Sequence, residues 1–295
     1  MAREYVHRAA LAEVFLTGWQ ETAADTFRVT AQWPRFHSFY ADETGLYDPM
    51  LLCETIRQTF PLLAHAAYGM PMGHFLSWSR FQYSVNPQEM DIRQRPAELE
   101  LRVRCHDIKR QRAVPTRMSM AIEVFRDGQL MAVAETGFGC HAPAVYERLR
   151  RGRTEAASLM QAAAVSLLPD TVPPAQAGRA RPRDVVLAVT DAPREWLLRM
   201  DTAHPILFDH PLDHAPGMLL LEAVRQCAHA ALSRTEPAVV SGMDVTFNQY
   251  VEFDSPCRVR SSVGAAAGRT STTVSVEAHQ YERPAFSALA TVVPL

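Results

Sequence analysis

Two stretches of this chain nearly repeat each other, and each has the composition of a helix that needs cover on every side. Asp48 to Phe60 reads DPMLLCETIRQTF and Gly217 to Ala230 reads GMLLLEAVRQCAHA. Met50, Leu51, Leu52, Glu54, Arg57 and Gln58 match Met218, Leu219, Leu220, Glu222, Arg225 and Gln226, each pair 168 positions apart. An apolar surface running round the whole 3.6-residue period must be wrapped, and a curled sheet is the element that can do so. In both copies a glutamate and an arginine three residues apart share one helical face. A single such pair reads as an intrahelical ion pair at a domain interface. Two matched pairs, each inside an apolar helix, point to use, because buried charge is costly unless it is paired or employed. Burial raises a carboxyl pKa unless the arginine offsets it, which is the setting of a general base.

The repetition extends beyond the helices. His37 precedes Met50 by 13 residues and His204 precedes Met218 by 14; Phe81 aligns with Phe247, and Ile122-Glu123-Val124 with Val276-Glu277-Ala278. Ordered matches of this kind indicate internal duplication. In the first copy, residues 9–18 fit a strand or a short helix equally. FRVTAQW (27–33) alternates as a strand, and 34–49 is irregular. Asp48 and Pro49 suit the cap and first position of a helix running to about Tyr68, with Pro61 kinking or interrupting it. Strands follow at 74–85, 98–110 and 117–140, the last folded into a hairpin at Arg126-Asp127-Gly128. A short basic helix is expected at 145–153. The second copy repeats the order: a strand at 184–189, an irregular stretch at 204–216, the helix from Gly217 to Ser233, and strands at 243–253, 257–266 and 272–293 with a hairpin at Tyr281 to Pro284. One long apolar helix wrapped by an antiparallel sheet is the hot-dog arrangement. The chain is therefore expected to be α+β, with a first hot-dog domain at 1–150, a Pro/Ala/Gly-rich linker at 151–182 and a second hot-dog domain at 183–295, the two forming a pseudo-dimer within one chain.

Bulk properties narrow the function. Two domains of ordinary size fit the 295 residues. A net charge of −2 gives no global field to recruit nucleic acid. Five scattered cysteines with no CxxC read as reduced cytosolic thiols, not as a disulfide frame or zinc site. The N-terminus carries Arg3, His7, Arg8 and Glu13 without a long apolar run, so neither a secretory signal nor a membrane anchor is expected. A cytoplasmic protein follows, either a monomeric pseudo-dimer or a homodimer, with no nucleic-acid or membrane partner.

Acid–base candidates concentrate before the second helix, in HPILFDHPLDHAPG (204–217). His210 and His214 flank Pro211-Leu212-Asp213. A proline-interrupted segment does not converge two histidines on a metal, and no third ligand lies near, so neither metal nor cofactor is expected. His210 reads as an acid/base or substrate donor, and His214 as structural or substrate-binding. His37 and His204 either bind substrate or pin loops to backbone. The Walker A, GxGxxG and nucleophile-elbow patterns are absent, and Cys53 and Cys227 read as small buried hydrophobes.

Phe208-Asp209-His210 through Pro216-Gly217-Met218-Leu219-Leu220-Leu221-Glu222-Ala223 resembles the active-site element of the β-hydroxyacyl-carrier-protein dehydratases, although His210 stands two residues nearer the Pro-Gly step. A longer resemblance is to the AfsA family, the A-factor or γ-butyrolactone biosynthesis enzymes of actinomycetes. It is carried by Val6-His7-Arg8, EVFLTGW (13–19), WPRFH (33–37), YDPMLLCETIRQ (47–58), RDVVL (183–187) and HPILFDHPLDHAPGMLLLEAVRQ (204–226). The resemblance implies two fused hot-dog domains. It also implies an acyltransferase that joins a β-ketoacyl thioester, from a β-ketoacyl-carrier protein or acyl-CoA, to dihydroxyacetone phosphate. The phosphorylated ester then closes by intramolecular aldol condensation to a butenolide, the precursor of a butyrolactone, butenolide or furan signal. Glu54, Glu222 and Arg225 stand at the positions its motif marks as functional. On this reading Glu54 or Glu222 deprotonates the acceptor hydroxyl. Arg57 or Arg225 forks the phosphate. His37 and His214 are further substrate ligands, and backbone N–H groups around Gly217 or Pro49 serve the oxyanion. Direct transfer without an acyl-enzyme is expected, at one main site where Glu54 meets Arg225, Glu222 or His210. The alternatives are a dehydratase or thioesterase of the same fold, or a non-enzymatic acyl-binding module.

Overall fold

A computed structural model describes residues 1–40, 44–164, 168–232, 237–267 and 271–295. The chain divides into two compact units, Met1–Gly152 and Arg153–Leu295. In the first, 3-10 turns at Arg3–Val6 and Leu11–Glu13 lead into β1 (Leu16–Ala23) and β2 (Thr26–Trp33). Helix α1 (Pro49–Ala66) follows, then β3 (Phe75–Val85), β4 (Ala97–Gln111), β5 (Val114–Arg126), β6 (Gln129–His141) and the short helix α2 (Pro143–Arg150). The strands pair antiparallel in the order β1-β2-β4-β5-β6-β3. The helix-bearing connection thus carries the chain from β2 to the far edge.

The second unit has the same plan. Helix α3 (Ala156–Ala164) and 3-10 turns at Pro174–Ala177 and Pro182–Asp184 precede β7 (Leu187–Ala188) and β8 (Glu195–Leu198). Then come α4 (Gly217–Leu232), β9 (Ala238–Phe247), β10 (Arg258–Ala267), β11 (Ser271–Gln280) and β12 (Arg283–Pro294). The order β7-β8-β10-β11-β12-β9 reproduces that of the first unit strand for strand. The duplication expected from the helices is therefore a duplication of topology.

The helices are covered as their composition demands. Sixteen of the eighteen residues of α1 are buried, and twelve of the sixteen of α4, which leaves almost no solvent face. Sheet residues alternate to match. In β4, Leu99, Leu101 and Val103 point inward while Glu98, Arg102 and Arg104 face water. The β5–β6 hairpin turns on Asp127 and Gly128, both at positive φ, the geometry of a tight two-residue turn. Tyr281 and Glu282 do the same between β11 and β12.

Asp48 caps α1 by accepting the N–H of Met50 at 2.9 Å, with Pro49 at the first position. Asp48→Ala should lower stability by about 1 kcal/mol, read as a fall in denaturation midpoint at unchanged slope. Pro61 does not end the helix. It lies inside α1 between buried Phe60 and Leu62, whose packing offsets the lost backbone bond. Three other local expectations change. The strand at 184–189 shrinks to Leu187–Ala188, because Asp184 is drawn into a 3-10 turn. The strand at 243–253 ends at Phe247, where the N–H groups of Asn248 and Gln249 both turn to the Ala285 carbonyl. A strand forms at Glu195–Leu198 where none was expected. Ser233, the expected end of the second helix, and residues 41–43 of the irregular stretch lie outside the described residues. Among the described residues no helix is long and apolar enough to cross a membrane.

Candidate functional site

Glu54 is fully buried, and its place on α1 sets what can reach it. Arg57 and Gln58, three and four positions on, share its face. Arg57 donates through Nε to Oε2 and through Nη2 to Oε1, both at 2.8 Å, and Gln58 donates through Nε2 to Oε1 at 2.7 Å. The remaining lone pairs are met from outside the helix. Arg8 donates through Nε to Oε1 at 2.8 Å and lies 2.7 Å through Nη2 from Oε2. Burial pushes the Glu54 carboxyl up, but the Arg57 and Arg8 charges and the Arg57 and Gln58 hydrogen bonds outweigh it and hold the group at about 2.

The second unit repeats this clamp residue for residue. Arg179 donates to Glu222 through Nε at 2.8 Å and Nη2 at 2.6 Å, Arg225 through Nε at 3.2 Å, and Gln226 through Nε2 at 2.6 Å. In both units the glutamine also fastens the segment before the first strand. Gln58 donates to the Glu13 carbonyl and accepts from the Phe15 N–H; Gln226 donates to the Asp184 carbonyl and accepts from the Val186 N–H. Each clamp arginine on the helix reaches a carbonyl of that same segment, Arg57 at Val6 and Arg225 at Gly178.

His37 and His204 occupy equivalent places. The Nδ1 of His37 accepts from the N–H groups of Phe39 and Tyr40, so its Nε2 carries the proton toward Glu13 at 3.2 Å. The Nδ1 of His204 accepts from Ile206 and Leu207, with its Nε2 3.4 Å from Asp184. The Asp184 carboxyl, pushed up by burial, is nonetheless held below its ordinary value by hydrogen bonds from His204 and Arg181. Tyr40 stacks on His37 at 4.7 Å, and burial together with the Glu54 charge raises its hydroxyl well above the ordinary value.

Arg8 and Arg179 were not among the residues the sequence singled out for the site. A signal exists at a different offset: Arg8-Ala9 with Glu13-Val14 and Leu16 recurs as Arg179-Ala180 with Asp184-Val185 and Leu187, 171 positions on. Arg179 belongs to the Pro/Ala/Gly-rich stretch expected as a linker; in the second unit it is buried against α4.

The two units differ in the loop before the helix. The first has His37 alone there, whereas the second adds His210 and His214 to His204. The Nδ1 of His210 lies 2.5 Å from Oδ1 of Asp209, and the Nδ1 of His214 lies 2.6 Å from Oδ1 of Asp213. Asp209 is 2% exposed and His210 36%. A buried carboxylate on Nδ1 fixes the tautomer that leaves the lone pair on Nε2. His214 packs edge-on to Tyr250 at 4.7 Å. Gly217 opens α4 directly after this loop; the N–H groups of Leu219 and Leu220 already donate to the Pro216 carbonyl, so it is those of Gly217 and Met218 that have no carbonyl of their own helix to meet. Glu54 thus meets Arg57 in the first unit, which also holds His37, and Glu222 meets Arg225 in the second, which also holds His210, His214 and Gly217. Each glutamate is saturated by donors of its own unit.

A family model described as the A-factor biosynthesis hotdog domain matches residues 1–142 and 160–295. A 2-oxo-3-(phosphooxy)propyl 3-oxoalkanoate synthase of Streptomyces virginiae is 44% identical over 97% of this chain and 95% of its own length. A protein of the same name from Streptomyces coelicolor is 39% identical over 93% of this chain and 86% of its own. Among solved structures, a 12:0-ACP thioesterase from Umbellularia californica matches with a TM-score of 0.55 at 10% identity, over 94% of this chain and all of that one. That last likeness is one of fold.

Proposed function

The chain belongs to the AfsA family of A-factor biosynthesis hotdog proteins, and from that premise we propose that it is a 2-oxo-3-(phosphooxy)propyl 3-oxoalkanoate synthase. The donor is a 3-oxoacyl thioester, on a carrier protein or coenzyme A, and the acceptor is dihydroxyacetone phosphate. The acceptor hydroxyl oxygen attacks the thioester carbonyl, the C–S bond breaks, and the hydroxyl proton ends on the released thiol.

The observation that carries the assignment of roles is the Asp209–His210 pair. Acyl transfer to a hydroxyl needs a base with an open lone pair. The glutamates, first choices from sequence, are ill suited: Glu54 is held at about 2 with every lone pair occupied, and Glu222 is equally enclosed. His210 takes the hydroxyl proton at Nε2, with Asp209 holding Nδ1–H, and returns it to the leaving sulfur. The N–H groups at the start of α4, around Gly217, face the thioester oxyanion, where a helix N-terminus favours negative charge. His214, held by Asp213, is a donor to the phosphorylated acceptor. Glu222 and Arg225 position α4, on which that oxyanion site depends, and Glu54, Arg57 and His37 do the corresponding work in the first unit.

Incubation of the purified protein with a 3-oxoacyl pantetheine thioester and dihydroxyacetone phosphate should yield one phosphorylated ester per thiol released, identified by mass. Thiol release that leaves only the free 3-oxo acid would instead indicate a thioesterase, and loss of water from a 3-hydroxyacyl thioester a dehydratase.

A further inference from the structure

Helix α3 is uncharged, AASLMQAAA, and none of its residues is buried. A nine-residue helix has little stability of its own, and an apolar face that is only partly covered calls for an occupant. Its four half-buried residues are Ala156, Leu159, Met160 and Ala163. That is the i, i+3, i+4, i+7 spacing of one helical face. On this face the Leu212 N–H donates to Met160 Sδ at 2.9 Å. Leu212 lies midway between His210 and His214. The incompletely covered apolar stripe therefore adjoins the loop that carries both His–Asp pairs, in the same unit.

We propose that α3 forms the cover over the alkyl chain of the 3-oxoacyl group, with Leu159 and Met160 as the residues that set chain-length preference. This rests on the acyl-thioester reading of the His210 loop. The chemistry fits an aliphatic chain: the stripe offers two flexible or branched apolar side chains, small alanines on either side, and no charge. Thioether sulfur and leucine adapt to a chain without directing it. The anchor at Leu212 brings that stripe to the loop where the carbonyl reacts.

The test is calorimetric binding of unreactive thioether analogues of 3-oxobutanoyl, 3-oxohexanoyl and 3-oxooctanoyl pantetheine to the parent protein and to the Leu159→Ala/Met160→Ala double variant. In the parent, Kd should fall about fourfold for each methylene added, the value of full apolar burial. In the double variant the gain per methylene should drop below about twofold. Met160→Trp, which fills the space rather than emptying it, should reverse the order so that the octanoyl analogue binds more weakly than the butanoyl one. Chain-length dependence identical in parent and variants would overturn the proposal. Because binding is read without turnover, that outcome is separable from failure of the synthase reading, which the product assay reports.

Discussion

Glu54→Ala should destabilise the first unit by about 3–5 kcal/mol, the cost of removing one partner from a buried ionic cluster. The side chains of Arg8 and Arg57 are 6% and 19% exposed, so the substitution leaves two guanidinium groups facing each other with little water to screen them. Glu222→Ala should act likewise on the second unit through Arg179 and Arg225. Urea unfolding followed by circular dichroism would register the loss; an unchanged midpoint would contradict the clamp. Replacing Glu54, Arg8 and Arg57 together by leucine and methionine should recover much of the stability, because the penalty lies in the unpaired charge. The same cluster predicts acid sensitivity. The folded Glu54 carboxyl sits at about 2 against an ordinary 4.5. A depressed carboxylate pKa contributes stability that is complete above the unfolded value and disappears as pH falls through the folded one. Stability on the order of 3 kcal/mol should therefore fade between about pH 4.5 and 2, and Glu54→Gln should flatten that part of the profile.

His210→Ala should reduce the rate of ester formation by about 10²–10⁴, the range for losing a positioned general base. The side chain is 36% exposed and touches Asp209 through one hydrogen bond, so the fold should survive, which circular dichroism checks. Asp209→Asn should lower kcat while leaving KM for the thioester nearly unchanged, since it disturbs the tautomer at His210 and no contact to substrate. A variant of His210 as fast as the parent would return the base to another group.

The architecture was legible because its signal is periodic and repeated. Two apolar helices with Glu, Arg and Gln at matching positions require a wrapping sheet, and the alternation in β4 and the Asp127-Gly128 turn supply its strands. The clamp was half legible. Arg57 and Gln58 are visible because helical spacing puts them beside Glu54. Arg8 and Arg179 are not, since they arrive from 46 and 43 residues away along the chain. The second of them sits in a stretch whose Pro, Ala and Gly content resembles a tether. Moreover, the first-strand segments repeat at 171 positions and the helices at 168, so one alignment offset cannot register both. Glu54 reads as a base from sequence because burial alone raises a carboxyl; the Arg57 and Arg8 charges together reverse that. The histidines before α4 were visible as residues, but which nitrogen each turns to its neighbouring aspartate depends on backbone geometry that no spacing encodes.

The role of His210 in transfer to an acceptor is tested most directly by single-turnover thiol release from a 3-oxoacyl pantetheine thioester, with and without dihydroxyacetone phosphate, in the parent and in His210→Ala. The acceptor should accelerate release in the parent and have almost no effect in the variant. Equal acceleration in both proteins, or parent release that is indifferent to the acceptor, would contradict it.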